Sequence, residues 1–331
     1  MTAASLDIVA IGNAIVDVIA TADEAFLASE DLAKGSMQLI SAERATDLYS
    51  KMGPGREISG GSAANTVAGM AALGRKCGFI GQVADDQLGN VFTHDIRAID
   101  VAFTTPIREG EPPTAQCLIL VTPDGQRTMN TFLGASQYLP ASALDEEMIA
   151  SASILYLEGY LWDPEEPRAA MQSAIRIARD AGRKIAFTLS DAFCIERHRY
   201  SFRALIDNGE IDILFANEAE MHSLMQSDHF DESVAAVAAK VPLLVVTRGP
   251  HGALAVQHGV RFEVSAEPVA KVIDTTGAGD LFAAGFLAGQ AAGRSVADSL
   301  TMGAVCAAEV ISHYGPRPEA DLNALVAKRL G

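Results

Sequence analysis

The stretch KVIDTTGAGDLFAAGFLAG, from Lys271 to Gly289, places two glycines and one carboxylate where an extended run meets a helix. The apolar pair Val272-Ile273 predicts the end of a strand, and the small apolar residues after Asp280 predict a buried helix. Glycines permit a tight turn, whose exposed amides add to the positive end of the helix dipole. The stretch therefore predicts a site for phosphate or for developing negative charge.

Asp280 falls in the first turn of the predicted helix. With an ordinary pKa of about 3.9 it would be ionised at neutral pH and could accept a proton from a hydroxyl group. A carboxylate base beside an anion site is what phosphoryl transfer to an alcohol requires. The simpler alternative is that Asp280 only stabilises the helix N-terminus. A dinucleotide fingerprint is excluded because Phe282 stands where the third glycine would fall, and no P-loop motif occurs.

The composition limits the possible partners. The 331 residues are 49% apolar and carry a net charge of −17, which predicts a large core and argues against binding to nucleic acid. The four cysteines are widely scattered, without C-x-x-C or H-E-x-x-H motifs, so a zinc site has no support and a reducing cytoplasm is expected. No apolar run of about 18 residues predicts a membrane span. The first twenty residues lack a basic segment and carry Asp7 and Asp17, so we predict a strand there rather than a signal peptide.

Short apolar runs alternate with segments of helical period along most of the chain. This alternation predicts an α/β fold in which helices cover both faces of a mainly parallel sheet. The predicted strands are Leu6–Ile11, Cys77–Val83, Ile154–Leu157, Lys184–Leu189, Ile211–Phe215 and Leu243–Thr247. The predicted helices include Asp86–Ile99, Pro167–Gly182 and Phe193–Asn208.

Two segments break this alternation. Thr114–Gly134 reads as two strands around Pro123-Asp124-Gly125, a strong hairpin signal, and residues 16–59 are poor in clear helices. We predict that residues 16–59 and 107–137 form a small β-rich lid over the substrate. Residues 1–15, 60–106 and 138–331 would then form the large α/β core. Exposed lid edges could pair with a second copy, which leaves a monomer and a homodimer both open.

Several motifs together resemble the ribokinase-like, or PfkB, family of ATP-dependent sugar and nucleoside kinases. The resemblance rests mainly on DTTGAGD (Asp274–Asp280) and GGSAANTVAGMAALG (Gly60–Gly74), about two hundred residues apart in the order that this family shows. Further counterparts are GNAIVD (Gly12–Asp17), PDGQRT (Pro123–Thr128), NEAE (Asn217–Glu220) and TRGPHG (Thr247–Gly252). GNAIVD, YLEGYLWDPE, LSDAF and DILFANEAE are most similar to the adenosine kinase branch.

The resemblance implies roles for the acceptor side of the site. Asp280 would be the catalytic base, and the backbone amides of Gly277, Ala278 and Gly279 would form the anion hole. Asp17 would bind the two adjacent hydroxyls of a ribose, as one carboxylate can. Asn13, Gly61 and Asn65 would complete the sugar site. The alternatives are that Asp17 is the polar side of an alternating strand, that Ser62 is an ordinary N-cap, and that Asn65 is solvated.

The residues that would contact the rest of the acceptor are implied in the same way. A purine needs flat apolar walls, whereas a small sugar needs hydroxyl partners. The positions that wall the base pocket in adenosine kinases correspond to Ile15, Leu39, Met129, Tyr160 and Phe193. Arg127 on the hairpin resembles a lid arginine that closes on the phosphate, although a lone hairpin arginine is more often solvated.

The resemblance also implies a nucleotide and cation side. The pattern Asn217-x-x-Glu220 predicts a helix capping box, and in the family the same residues help to hold Mg²⁺, through water, and the phosphates of ATP. Thr247, Gly249 and Gly252 would border the nucleotide. Asp274, Thr276 and the carbonyl of Gly315 resemble a site for a monovalent cation such as K⁺. The segment SHYGPRP (Ser312–Pro318) departs from the pattern expected of animal adenosine kinases.

The function expected from these features is ATP- and Mg²⁺-dependent phosphorylation of the 5′-hydroxyl of a ribonucleoside, with adenosine to AMP, a purine-salvage reaction, as the leading choice. The alternatives are a sugar kinase acting on ribose or fructose, and a kinase for another nucleoside such as inosine or guanosine. A non-catalytic nucleoside sensor is the alternative from another class. A dehydrogenase is disfavoured because the third glycine is missing.

Overall fold

The computed structural model describes residues 4–331. In chain order the strands of this part are β1 (Leu6–Ile11), β2 (Ile15–Thr21), β3 (Met37–Leu39), β4 (Gly55–Gly60), β5 (Cys77–Ile80), β6 (Val101–Phe103), β7 (Ala115–Val121), β8 (Arg127–Phe132), β9 (Ala152–Glu158), β10 (Lys184–Thr188), β11 (Ile213–Asn217), β12 (Leu243–Thr247), β13 (Ala253–Gln257) and β14 (Val260–Val264).

The helices of the same part vary from six to sixteen residues. They are α1 (Glu24–Ser29), α2 (Ala42–Lys51), α3 (Ser62–Ala72), α4 (Gln87–Ala98), α5 (Glu146–Ser151), α6 (Glu165–Asp180), α7 (Ala192–Asp207), α8 (Glu218–Met225), α9 (Phe230–Ala238), α10 (Ala278–Ala291), α11 (Val296–Val310) and α12 (Leu322–Leu330).

The larger sheet has nine strands in the order β14-β13-β12-β11-β10-β9-β1-β5-β6. The seven strands from β12 to β6 run parallel, and β13 and β14 add an antiparallel edge. The predicted mainly parallel sheet is therefore confirmed, and the ends of each predicted strand of the alternating part of the chain lie within three residues of the observed ends.

Helices cover both faces of this sheet, as the side chains of β1 illustrate. Ile8 and Ala10 lie in an apolar cluster with α3, α10 and α11, whereas Val9 and Ile11 lie in another with α6, α7 and α8. Successive side chains of a strand point to opposite faces, so a strand buried on both faces is apolar at every position.

The helix that carries Asp280 packs closely against its neighbours. A Cβ at Gly69 of α3 would lie 2.6 Å from Leu281 of α10, and a Cβ at Gly285 would lie 2.5 Å from the carbonyl oxygen of Met302 in α11. Glycine at these two positions lets the three helices pack closely, which explains the run of small residues after Asp280. This packing also fixes the position of the Asp280 carboxylate.

The second sheet has five strands in the order β3-β8-β7-β2-β4, all drawn from the two segments predicted to be β-rich. Strands β7 and β8 form the predicted hairpin, with Gly125 in its turn at a φ of +83°. The division into a large core and a small lid over the substrate stays a prediction.

Two local predictions are wrong. Val272-Ile273 is not a strand: Val272 is half exposed, and the N–H of Ile273 donates to the carbonyl of Ile311 after α11 instead of pairing with a strand. The segment 16–59 also contains α1 and α2, whose N-caps Asp23 and Ser41 each accept a hydrogen bond from the first helical turn. Asp23 and Ser41 are typical N-cap residues, but the glycines and the proline in the same segment favoured a prediction without helices.

No helix within residues 4–331 is both long enough and apolar enough to cross a membrane.

Candidate active site

A cavity of about 450 Å³ lies between the two sheets, at the carboxyl ends of the parallel strands. In open α/β sheets this edge is where ligands usually bind. Most of the predicted site residues line the cavity together. They are Asn13, Ile15, Asp17, Leu39, Gly61, Asn65, Met129, Tyr160, Asn217, Glu220, Thr247, Thr276, Gly277, Gly279 and Asp280.

A smaller group of predicted residues does not line this cavity. The group comprises Arg127, Phe193, Gly249, Gly252, Asp274, Ala278 and Gly315. Phe193 is 69% exposed at the start of α7, so the structure does not bring it to the predicted base pocket. Gly249 and Gly252 lie beyond Thr247 in the turn between β12 and β13, and their place beside a nucleotide stays a prediction.

Asp280 is partly buried in the first turn of α10 and is held by two side chains of α3. The hydroxyl of Ser62 donates to Oδ1 at 2.6 Å, and the amide nitrogen Nδ2 of Asn65 donates to Oδ2 at 3.1 Å. Burial raises the pKa of Asp280, while these two hydrogen bonds and the charge of Arg317 act to lower it. The arrangement yields an oriented carboxylate with increased affinity for a proton, as a general base needs.

The same contacts overturn two of the alternatives. Ser62 is not an N-cap, because Gly61 occupies that position with a φ of +99° and Ser62 begins the helix. Asn65 is only 4% exposed, so it is not a solvated position. A Cβ at residue 61 would lie 2.2 Å from the carbonyl oxygen of Asn13, so the turn into α3 requires glycine there.

Ser62→Ala is expected to lower kcat about tenfold, because the variant removes a charge-assisted hydrogen bond from the base. This bond lowers the pKa of Asp280. Its loss raises that pKa, so the acidic limb of the kcat/KM profile should move to higher pH. Rates measured across pH test this. Ser173→Ala on α6, outside the cavity lining, is the control and should leave the profile unchanged. If the acidic limb of the kcat/KM profile does not move in Ser62→Ala, Ser62 does not affect the pKa of the base.

The turn before α10 has the geometry of an anion site. Gly277 is the N-cap with a φ of +76°, and a Cβ on Gly279 would meet no atom within 4 Å. One detail differs from the prediction, because the N–H of Ala278 already donates to the carbonyl of Thr275. Among the described hydrogen bonds, the amides of Gly277, Gly279 and Asp280 have no acceptor within the chain. These three amides, rather than that of Ala278, are open to an anion.

Asp17 places a second buried carboxylate in the cavity. It is 6% exposed, lines the cavity from β2, and receives no hydrogen bond from any residue of the 4–331 range. Burial raises the pKa of Asp17 to about 7, against the opposing charges of Arg127 and Arg317. A Cβ at Gly60 would lie 2.4 Å from Oδ2 of Asp17, so glycine on the neighbouring strand makes room for the carboxylate. The carboxylate of Asp17 thus faces the cavity without a protein partner, and hydroxyl groups of a ligand can donate to it there.

Glu158, at the carboxyl end of β9, is a functional residue that the sequence reasoning missed. It is fully buried and accepts from the N–H and the Nδ2 of Asn13, both at 2.7 Å, and from the N–H of Ala63 at 2.8 Å. Burial raises the pKa of Glu158 to about 7. The hydroxyl of Ser136 donates to Oδ1 of Asn13 at 2.8 Å. Glu158 therefore fixes Asn13 and the start of α3. A charged residue ending a buried strand was the available signal.

Arg317 is a second missed residue, within the segment that departs from the animal pattern. Its guanidinium donates to the carbonyl of Ser59 at 2.8 and 3.1 Å and to the carbonyl of Ala64 at 2.9 Å. Burial lowers the pKa of Arg317 to about 10, and the charges of Asp17, Asp95 and Asp280 oppose this. Arg317 thus ties the end of β4 to α3 and places a positive charge near both site carboxylates.

The predicted capping box at α8 is confirmed. Asn217 Oδ1 accepts from the N–H of Glu220 at 2.8 Å, and Glu220 Oε2 accepts from the N–H of Asn217 at 3.0 Å. Glu220 is 5% exposed and also lines the cavity, and burial raises its pKa to about 7. A carboxylate with this environment can serve both as a cap and as a ligand to a hydrated cation.

Arg127 is not solvated, contrary to the usual state of a hairpin arginine. Its side chain is 7% exposed and forms an ion pair with Asp274, which is 2% exposed, at 2.6 Å. The hairpin of the second sheet is thereby joined to the loop that leads into the anion turn.

Proteins of known sequence or structure resemble this chain over about three quarters of its length or more. The family described as pfkB family carbohydrate kinase matches residues 5–322. A crystal structure of a probable sugar kinase from Rhizobium etli is 45% identical, with a TM-score of 0.92 and 98% of each chain covered. The adenosine kinase from Sinorhizobium meliloti is 46% identical, with a TM-score of 0.91 and 98% and 99% covered. A fructokinase from Salmonella typhimurium is 28% identical over 262 residues, covering 76% of this chain and 85% of its own length.

The α/β fold and the site between its two sheets thus define a ribokinase-like small-molecule kinase, which uses ATP and transfers to a hydroxyl group. This chain belongs to the pfkB carbohydrate kinase family, and the predicted family resemblance is confirmed.

Proposed function

We propose that this protein phosphorylates the 5′-hydroxyl of a ribonucleoside and that adenosine is its substrate. The observation that carries the proposal is the buried carboxylate of Asp17, which has no protein partner in the described chain and shares one cavity with Asp280. A pair of adjacent ribose hydroxyls would supply the hydrogen bonds that Asp17 lacks. The 46% identity to the Sinorhizobium meliloti adenosine kinase supports the choice of nucleoside.

The walls of the cavity favour a base over a bare sugar. Ile15, Leu39 and Met129 contribute apolar surface from the second sheet, and Tyr160 contributes an aromatic ring from the loop after β9. The hydroxyl of Tyr160 is held by the carbonyl of Ser190 at 3.2 Å, which fixes the ring. A rigid aromatic group opposite aliphatic side chains suits a flat purine, whereas a hexose would leave this surface uncovered.

Asp280 is the base in the proposed mechanism. Its carboxylate, oriented by Ser62 and Asn65, accepts the proton of the 5′-hydroxyl as the oxygen attacks. The amides of Gly277, Gly279 and Asp280 stabilise the negative charge of the transferred group. Asn13, fixed by Glu158, and Asp17 hold the sugar so that its hydroxyl faces the base.

ATP, bound with Mg²⁺, supplies the phosphoryl group for this reaction. The residues fit such a ligand, since open amides end in the cavity and the buried carboxylate of Glu220 lines it. Within residues 4–331 no three His, Cys, Asp or Glu side chains cluster as a metal site. Glu220 would therefore hold Mg²⁺ through water, together with the phosphates, while Asn217 and Thr247 border them.

A sugar kinase is the second candidate, favoured by two of the relatives. The Rhizobium etli structure is described as a probable sugar kinase at 45% identity, and the Salmonella relative is a fructokinase. Inosine and guanosine are further possible acceptors within the nucleoside class. The non-catalytic sensor is disfavoured because Asp280 and its two supporting side chains are all present.

A panel of acceptors tests the proposal. Purified protein, ATP and MgCl₂ are incubated with adenosine, inosine, guanosine, ribose or fructose, and ADP and the phosphorylated products are measured. We expect adenosine to give the highest kcat/KM and AMP as product, and we expect activity to disappear when EDTA removes Mg²⁺. Rapid turnover of fructose without turnover of adenosine would reject the nucleoside assignment. Adenosine binding without ADP formation for any acceptor would favour the sensor.

A further inference from the structure

The carboxylate of Asp274 is surrounded by donors from three parts of the chain. Nη1 of Arg127 lies 2.7 Å from Oδ1 and 2.6 Å from Oδ2. The N–H of Thr276 donates to Oδ1 and the N–H of Gly315 donates to Oδ2, both at 3.0 Å. Oδ1 therefore accepts two hydrogen bonds, and Oδ2 accepts one and also contacts the guanidinium.

This donor set does not fit the monovalent cation that the family resemblance implies at Asp274, Thr276 and Gly315. Both oxygens of Asp274 face N–H donors, since Oδ1 accepts from Arg127 and Thr276 and Oδ2 accepts from Gly315 and contacts Arg127. A cation would have to displace these donors to reach the carboxylate. The guanidinium of Arg127 adds a positive charge within hydrogen-bond distance, in a site where both side chains are at least 93% buried. A second cation beside it would be repelled strongly in such surroundings.

We propose that the guanidinium of Arg127 takes the place of the cation and that this kinase works without K⁺ or any other monovalent cation. The proposal rests on the proposed kinase activity only for its rate measurements. Arg127 is the first residue of β8, so the second sheet places its charge beside the loop before the anion turn. Thr276 links Asp274 directly to that turn, so the ion pair holds in place the backbone whose amides receive the phosphoryl group.

The first test compares the wild-type enzyme in KCl with the enzyme in tetramethylammonium chloride at equal ionic strength. We expect rates that agree within about twofold and equal melting temperatures in the two salts, because an allosteric cation normally changes affinity or rate by about fivefold or more. Activation by K⁺ of about fivefold or more, with a higher melting temperature in KCl, would overturn the proposal.

The second test removes the guanidinium. Arg127→Met keeps the length of the side chain but opens a space beside the carboxylate of Asp274. We expect a lower melting temperature and a lower rate in tetramethylammonium chloride, with both partly restored by KCl. If K⁺ restores neither, the guanidinium does not stand in a cation position and the proposal fails. Arg127→Lys, which keeps a charge, covers the case in which the methionine variant does not fold, and it should remain insensitive to K⁺.

Lys34→Met is the matched control. Lys34 also bonds to this hairpin, through Asp124 at 2.7 Å, but its side chain is 31% exposed and its partner 54% exposed. Its removal should create no K⁺ dependence. The melting temperatures need no substrate, so they decide the question even if adenosine proves not to be the acceptor.

Discussion

Asp280→Asn is expected to lower kcat by about a thousandfold while leaving the KM for the acceptor within about threefold. Asparagine has nearly the same shape as aspartate, so the packing of α10 against α3 should survive. Its amide cannot accept a proton from the attacking hydroxyl, and one of its atoms would face the donor Ser62 or Asn65 with a second donor. Steady-state rates and the melting temperature of both proteins are the measurements.

Asp298→Asn is the control for this variant. Asp298 occupies the first turn of α11, as Asp280 does in α10, and it lies outside the cavity. Its replacement should change the rate by less than about twofold, since its charge acts only on the helix terminus. A rate for Asp280→Asn close to that of the wild type would remove the base from the mechanism.

The double variant Ser62→Ala/Asp280→Asn tests whether Ser62 acts through the base. If the hydroxyl serves only to orient and tune Asp280, its removal should have no further effect on kcat once the carboxylate is gone. An additional tenfold loss in the double variant would show that Ser62 contacts the acceptor independently.

Local patterns in the sequence predicted the parts of this structure that depend on neighbouring residues. The capping box at Asn217 and Glu220 spans three positions, and the anion turn at Gly277 is a backbone requirement of one short stretch. The alternation of apolar runs predicted the parallel sheet for the same reason, since a strand buried on both faces has a composition of its own.

The side-chain contacts that complete the site could not be predicted in this way because they join distant parts of the chain. Ser62 is separated from Asp280 by 218 residues, Asn13 from Glu158 by 145, and Ser59 from Arg317 by 258. Nothing in the local pattern distinguishes a serine that supports a base from one that caps a helix. Only the packing of α3 against α10 decides between them.

The burial of Arg127 is another feature that its sequence neighbours could not predict. A lone arginine on a hairpin is usually solvated, and its sequence neighbours give no reason to expect otherwise. Asp274, 147 residues away, changes this because it supplies a buried countercharge. The family resemblance identified both residues but assigned them separate roles, and only the structure shows that they form one pair.

Asp17→Asn is expected to lower kcat/KM for the ribonucleoside by about a hundredfold, mainly through KM. A carboxylate can accept from two adjacent hydroxyls, whereas the amide offers one acceptor and opposes the second hydroxyl with an N–H. The wild type should therefore discriminate strongly against 2′-deoxy and 3′-deoxy nucleosides, and the variant should discriminate much less. Glu57→Gln, on the neighbouring strand β4 with its side chain bonded to Tyr49, is the control and should keep the wild-type ratios.

The pH dependence gives this variant a second signature. Burial raises the pKa of Asp17 to about 7 and raises that of Asp280. Both carboxyls must lose a proton to act, so kcat/KM of the wild type falls as pH decreases. Glu158 and Glu220, whose pKa values burial also raises to about 7, titrate in both proteins, so Asp17→Asn should lower the limiting slope by about one relative to the wild type. A wild-type enzyme that accepts deoxynucleosides as readily as ribonucleosides, with the same slope as Asp17→Asn, would exclude Asp17 as the ligand of the ribose hydroxyls.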